Sequence, residues 1–292
     1  MKRKWTALVL CLLMMFCMMP ITAHADIGPK PSVRISFEHM GDEVCYGTLL
    51  SRRECDGPYR AWDGDPENIC DYGDNRQVWE AFAAYEDPDG YFFIQFYERC
   101  SESKTLDWTY YPPQSFKILL YYPQEDRFEV SDIYERYAFD SYFTVDLNTL
   151  HPEDEGVRLE AERSYNYLPE MVSFLFRAAG TILVELGIAW LFHLRSREQL
   201  RVILLVNLVT QIGLNVLLNV VGFYRGPWAQ IAVYVLLEVI VFAAEAGIYT
   251  HCFRRNAAQP VPARRCVLYA LTANLCSFVV GRWISLWVPM MF

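Results

Sequence analysis

Four apolar stretches, Met171 to Leu194, Val202 to Phe223, Ala229 to Cys252 and Cys266 to Met290, follow Pro169. Each is long enough to carry a helix of about 20 residues across a hydrocarbon core. In lipid such segments must be helical, because no water is present to satisfy open backbone groups. The chain therefore reads as an α+β membrane protein, with a four-helix transmembrane bundle over 166–292. A β-rich, sandwich-like domain with one helix is expected ahead of it, over 26–165, and a signal peptide over 1–25.

The start of the chain sets the side of the membrane. Lys2, Arg3 and Lys4 precede an apolar run from Trp5 to Met19, and Ala23-His24-Ala25 has the small-x-small form that signal peptidase accepts. Cleavage is expected before Asp26, which would put the following domain outside the cytoplasm. Arginines in the loops agree: Arg195, Arg197 and Arg201 lie between the first two stretches and Arg254, Arg255, Arg264 and Arg265 between the last two. The middle loop has only Arg225. By the positive-inside rule the first and third loops are cytoplasmic.

Charge separates the two halves. From Asp26 to Tyr165 there are 30 acidic and 13 basic residues, so this domain carries −17 of a chain total of −9. Such acidity argues against nucleic acid as a partner, since phosphate recognition needs Lys and Arg. The expected partners are the lipid bilayer and an unidentified extracytoplasmic ligand or membrane partner protein. Cys45, Cys55, Cys70 and Cys100 permit two disulfides in three pairings, and export makes at least one bridge expected.

Polar residues inside the apolar stretches are the most informative feature, because an ionisable group at mid-bilayer costs a few kcal/mol or more unless paired or hydrated. At about 100° per residue each set falls on one helix face. Arg177, Thr181 and Glu185 follow at steps of four, as do Asn207, Gln211, Asn215 and Asn219. Tyr234, Glu238, Glu245 and Tyr249 share a sector, and Asn274, Ser277, Gly281 and Ser285 share another with Arg282 at its edge. Counting about 1.5 Å per residue places Arg177, Arg282, Glu238 and Asn215 in the outer half of the bundle. Glu185, Glu245, Asn207 and Asn274 fall in the inner half, with no arginine at their own depth. The candidate intramembrane polar site is thus Arg177, Glu185, Asn207, Gln211, Asn215, Glu238, Glu245, Asn274 and Arg282. It can serve as interhelical glue, as a proton- or solute-handling site, or as an oligomer interface.

In the acidic domain, Val33, Ile35 and Phe37 alternate with polar residues, and Phe92, Ile94 and Phe96 take every second place of another run; a period of two marks half-buried strands. Further strands are expected over Cys45 to Ser51, Ser115 to Tyr122, Arg127 to Tyr137 and Ser141 to Leu147, with one helix over Arg76 to Tyr85. Gln124-Glu125-Asp126 reads as a hairpin loop and Asp87-Pro88-Asp89-Gly90 as a turn.

Asp63, Asp65, Glu67, Asp71 and Asp74 occupy positions one, three, five, nine and twelve of a partial calcium loop, in which Asn68 replaces the usual Gly and Asp74 the usual Glu. An acidic exposed loop accounts for the same residues, and calcium is the only cofactor the sequence suggests. The chain has no H-E-x-x-H, G-x-S-x-G or P-loop pattern, and His39 and His151 are the only histidines of the acidic domain. No catalytic residue is expected.

The chain resembles a set of bacterial membrane proteins of unassigned function in which a secreted-type domain precedes four helices. The likeness lies in Asn207-Leu208-Val209-Thr210-Gln211 with Leu214-Asn215, in Glu238 and Glu245 with Tyr249, in Ala273-Asn274 with Ser277 and Gly281, and in Tyr137 to Tyr142. It implies no activity. The residues themselves lead to a membrane-anchored cell-surface binding, sensing or assembly protein, with a small transporter or intramembrane enzyme as the alternative.

Overall fold

The computed structural model describes residues 28–52, 59–149, 158–255 and 260–287, with the side chains of 281–287 left aside. The signal-peptide segment, Cys55, His151 and the side chain of Arg282 lie outside the described residues.

Alternation shapes the first sheet. In β1 (Ser32–Glu38) Val33, Ile35 and Phe37 are buried, and in β9 (Asp140–Asp146) Ser141, Phe143 and Val145 are buried, so one face of each strand is covered. β1 pairs in parallel with β9 and antiparallel with β5 (Thr105–Trp108), and β10 (Ala161–Arg163) closes the far edge. The second sheet is built on β6 (Ser115–Tyr122), which pairs with β2 (Tyr46–Ser51) and β7 (Arg127–Val130). Two-residue strands β3 (Phe92–Phe93) and β4 (Glu98–Arg99) lie along β2, and β8 (Tyr134–Glu135) lies along β6.

The two sheets share one apolar core, in which Val33, Ile35, Leu106 and Phe143 meet Leu49, Phe116, Ile118 and Leu120. Helix α1 (Arg76–Ala84) is capped by Asn75, whose side chain accepts from the N–H groups of Gln77 and Val78. It lays Val78, Trp79 and Phe82 on the opposite face of the second sheet, against Leu50, Leu119 and Tyr121. β6 is therefore covered on both faces, which explains its nearly unbroken run of buried residues.

Two expected strands are corrected. The run Phe92 to Phe96 stops after Phe93, because Gln95 adopts φ 55° and its buried amide accepts from Cys70 N while donating to the carbonyls of Arg60 and Asn68. The run Arg127 to Tyr137 divides into β7 and β8. Ser131 breaks it, its hydroxyl accepting from the Ile118 N–H in place of a ladder bond. β5, β10 and the one-turn helix α2 (Cys100–Ser103) had no expectation in the sequence.

The bundle comprises α3 (Leu168–Leu191), α4 (Arg197–Arg225), α5 (Pro227–Arg255) and α6 (Ala263–Trp287). All four are long and apolar enough to cross a membrane. α3 packs on α4, α4 on α5, α5 on α6 and α6 back on α3, which closes a ring. Leu175, Leu183, Leu205, Val209 and Val239 stand exposed on its outside, an apolar shell of the kind that faces lipid or a partner helix.

The turns follow from local chemistry. His193 takes φ 58° after α3, and the Leu194 N–H reaches back to the Ala189 carbonyl, a Schellman closure. Ser196 and Gln199 then cap α4 reciprocally. At the other end, α4 and α5 are joined through Gly226 alone.

The β domain docks on that α4–α5 turn. The Phe139 N–H donates to the Phe223 carbonyl at 2.7 Å, and the rings of Tyr137, Tyr165 and Tyr167 gather on Phe223. The arginine-rich α3–α4 and α5–α6 turns thus occupy the end of the bundle remote from the β domain.

Candidate functional site

Helical periodicity brings polar side chains of all four helices together among the described residues, and they meet at two levels. At the level remote from the β domain lies a network of carboxylates and neutral donors. Asn207 Nδ2 on α4 donates to Glu185 Oε2 on α3 at 2.6 Å and to the Tyr249 hydroxyl on α5 at 3.1 Å. Glu245 on α5 accepts at both oxygens: from Thr210 Oγ1 at 3.0 Å and from Asn274 Nδ2 on α6 at 2.7 Å. Glu185, Asn207 and Glu245 are at most 1% exposed.

These bonds cross every helix boundary save that from α3 to α6, where the Tyr269 hydroxyl donates to the Glu185 carbonyl at 3.3 Å. Among the described residues no cation touches either carboxylate, and two acceptors, Glu185 Oε1 and Asn207 Oδ1, are buried without a hydrogen-bond partner. An aromatic layer closes the network on its far side: Tyr249 stacks on Phe253 and leans on Tyr269, which meets Phe192.

At the level nearer the β domain the helices part around a cavity of about 110 Å³. Arg177, Gln211, Asn215, Tyr234, Glu238 and Ser277 supply its polar lining, and Leu214, Leu218 and Ile231 its apolar walls. Asn215 Nδ2 donates to the Gln211 carbonyl at 2.8 Å, so the α4 face is held in one rotamer. Space on this scale holds several waters or a solute of a few heavy atoms. Leu218 and Gln230 place the cavity about one turn below the Phe223–Gly226 junction that carries the β domain.

The structure therefore sorts the sequence candidates by depth: Glu185, Asn207, Glu245 and Asn274 in the network, Arg177, Gln211, Asn215 and Glu238 around the cavity. Thr210 and Tyr269 were not among the candidates. Thr210 sits three residues after Asn207, off the four-residue ladder, and only the approach of α5 gives its hydroxyl Glu245 as an acceptor.

We expect Asn207→Leu to destabilise the bundle by about 1–2 kcal/mol, the upper range for interhelical hydrogen bonds in membranes, because Glu185 and Tyr249 lose a shared donor. Val209→Ala, at a position 69% exposed on the outside of the bundle, should be near neutral. Detergent-titrated unfolding of the two variants measures the difference.

The acidic loop behaves otherwise. Asp63 accepts from the Asp65 N–H and the Asn68 amide, which hold its carboxyl below the usual range; Asp65 caps the turn Pro66–Asn68 by accepting from the Glu67 N–H; Asp71 accepts from the Gly73 N–H. These three carboxylates serve local turns, and among the described residues Asp63, Asp65, Glu67, Asp71 and Asp74 do not form a group of three within reach of one ion. Among the described residues the one trio within reach of a single ion is Glu38, His39 and Asp146, largely exposed, with His39 Nδ1 at 2.8 Å from Asp146 Oδ1.

No protein-family model, curated protein or solved structure matches the chain.

Proposed function

We propose that this chain is a membrane-anchored binding and sensing protein: the β domain stands outside the cytoplasm, and a small zwitterionic solute occupies the outer cavity of the bundle. The observation that carries the reading is the cavity itself. It brings one cationic side chain, Arg177, and one acidic side chain, Glu238, together with the amides of Gln211 and Asn215. A solute bearing both charges can pair with these polar groups while its carbon atoms rest on the apolar walls.

Binding is favoured over passage because the inner network and the aromatic layer of Tyr249, Phe253 and Tyr269 fill the bundle below the cavity. Position supports a sensing role. A solute that spreads α4 and α5 beneath Leu218 also moves the turn on which Phe139 is fastened. The short turns between helices leave no room for an output domain, so a partner protein would receive the signal.

The test is equilibrium binding of tritiated glycine, alanine and glycine betaine to the full-length chain in nanodiscs. Saturable binding of at least one is expected, weakened tenfold or more by Arg177→Gln or Glu238→Gln. No saturable binding of any of the three up to about 10 mM, ten times the Kd of a site worth only about 4 kcal/mol, would remove the reading.

A second reading rests on the partnerless Glu185 Oε1, which suits a carboxyl that exchanges a proton during transport, with Asn207 Oδ1 beside it as a further unfilled acceptor. Under it, Glu185→Gln abolishes a solute-driven proton flux in proteoliposomes; under the binding reading no such flux exists.

A further inference from the structure

We infer that Cys45 and Cys100 form a disulfide that clasps the edge of the second sheet. The inference rests on the placement of the β domain outside the cytoplasm, where disulfides persist.

Register carries the argument. β2 and β4 pair antiparallel with Tyr46 opposite Arg99 and Gly47 opposite Glu98. One step further sets Cys45 opposite Cys100, and the Cys100 N–H donates to the Cys45 carbonyl at 2.9 Å. Cys45 and Cys100 flank the end of this ladder, and the backbone bond holds them against each other; opposed residues of a regular antiparallel ladder have Cα atoms about 5.5 Å apart. That separation lies near the commonest Cα spacing of disulfides. The two thiols thus start from neighbouring backbone positions in the same buried core.

The surroundings agree. Both residues are fully buried in the core between the sheets and are thiols in this structure. Gly47 makes room beside them, since a Cβ there would stand 2.8 Å from Cys100 Sγ. Neither cysteine belongs to a group able to hold a metal among the described residues. Burial pushes the Cys45 thiol up to about 12 and the Cys100 thiol well above its usual value, so neither is poised as a nucleophile in the folded domain.

The bond must therefore form while the strands are still open. One thiolate attacks a disulfide-bearing oxidant of the thiol oxidoreductase class, and the second displaces it from the mixed disulfide. Two thiols are oxidised to one S–S bond, and the oxidant's disulfide is reduced to two thiols. The closed loop then contains α1 and the Asp87 to Gly90 turn, and it ties both to β2.

The experiment uses the full-length chain in the membranes of exporting cells. Thiols are trapped with acid and alkylated under denaturing conditions, and peptides are mapped with and without reduction. A Cys45 peptide linked to a Cys100 peptide is expected, together with a midpoint of β-domain unfolding that falls by roughly 10 °C on reduction. The Cys45→Ala, Cys100→Ala double variant should fall by the same amount and ignore the reductant. A phosphatase reporter fused after Tyr165 reports the side of the membrane in parallel. Alkylation of both thiols with the reporter outside overturns the disulfide alone; a reporter inside overturns the topology and the disulfide with it.

Discussion

Replacing Lys117 by methionine should cost the β domain about 3–5 kcal/mol, the largest loss expected of any single side chain outside the membrane. Lys117 lies on β6 and is 1% exposed. Its ammonium donates to Asp87 Oδ1 at 2.7 Å and to Asp89 Oδ2 at 2.5 Å, and it lies over the Tyr91 ring. The Asp87 side chain is fully buried, and its other oxygen accepts from the N–H groups of Asp89 and Tyr91. The lysine therefore holds the whole Asp87 to Gly90 turn onto the sheet. Without it, Asp87 remains as a buried carboxylate with no countercharge, a worse state than an apolar core would be.

The pH dependence has a definite sign. Burial alone would lower the Lys117 pKa, but the hydrogen bonds to Asp87 and Asp89 outweigh it and leave the pKa raised. A lysine whose folded pKa is raised contributes stability that is complete below its unfolded value, near 10.4, and is lost as pH climbs through the folded one. Urea unfolding of the wild type, followed by tryptophan fluorescence, should be insensitive to this group from neutrality to about pH 10 and weaken beyond it. Lys117→Met should lack that alkaline limb. Adding Asp87→Asn and Asp89→Asn should recover much of the loss, because the three groups act as one. A single variant within about 1 kcal/mol of wild type would show that the ion cluster is hydrated rather than buried.

The elements that could be read from the residues are those whose covering is one-sided or complete. β1 shows its alternation because only one face meets the core; the four bundle helices show their length because lipid tolerates nothing else. The misreadings fall where a buried polar side chain overrides the pattern, as Gln95 and Ser131 do, or where a strand such as β10 is only three residues long.

In the site, depth was legible and pairing was not. Rise per residue is fixed by helix geometry, so Glu185, Asn207, Glu245 and Asn274 could be assigned to one level from the sequence. Rotation of each helix about its axis is set by neighbours, which is why Thr210 and Tyr269 emerged only in three dimensions. The same limit hid the junction. Nothing in Tyr137 to Tyr142 announces that Phe139 will close on a turn more than 80 residues away.

Gly226→Ala should destabilise the protein by about 2–4 kcal/mol and release the β domain from the bundle. Gly226 has φ +80° and ψ 178°, a region that essentially only glycine occupies. A methyl group there would stand 2.5 Å from the Phe139 ring. The backbone cannot keep this conformation with a Cβ without strain, and the Phe139 ring, whose own N–H is tied to the Phe223 carbonyl, must turn away from the added methyl group. By contrast Gly180→Ala, in α3 with nothing within 4 Å of the added carbon, should be neutral or slightly favourable. Hydrogen exchange separates the two consequences. The Phe139 amide should lose protection in Gly226→Ala while amides at the centre of α4 keep theirs, and Phe139→Ala in the same chain should give back the part of the loss that is steric. If the Phe139 amide stays protected in Gly226→Ala, the β domain is held by contacts other than this turn. A solute in the outer cavity would then have no short path by which to move it.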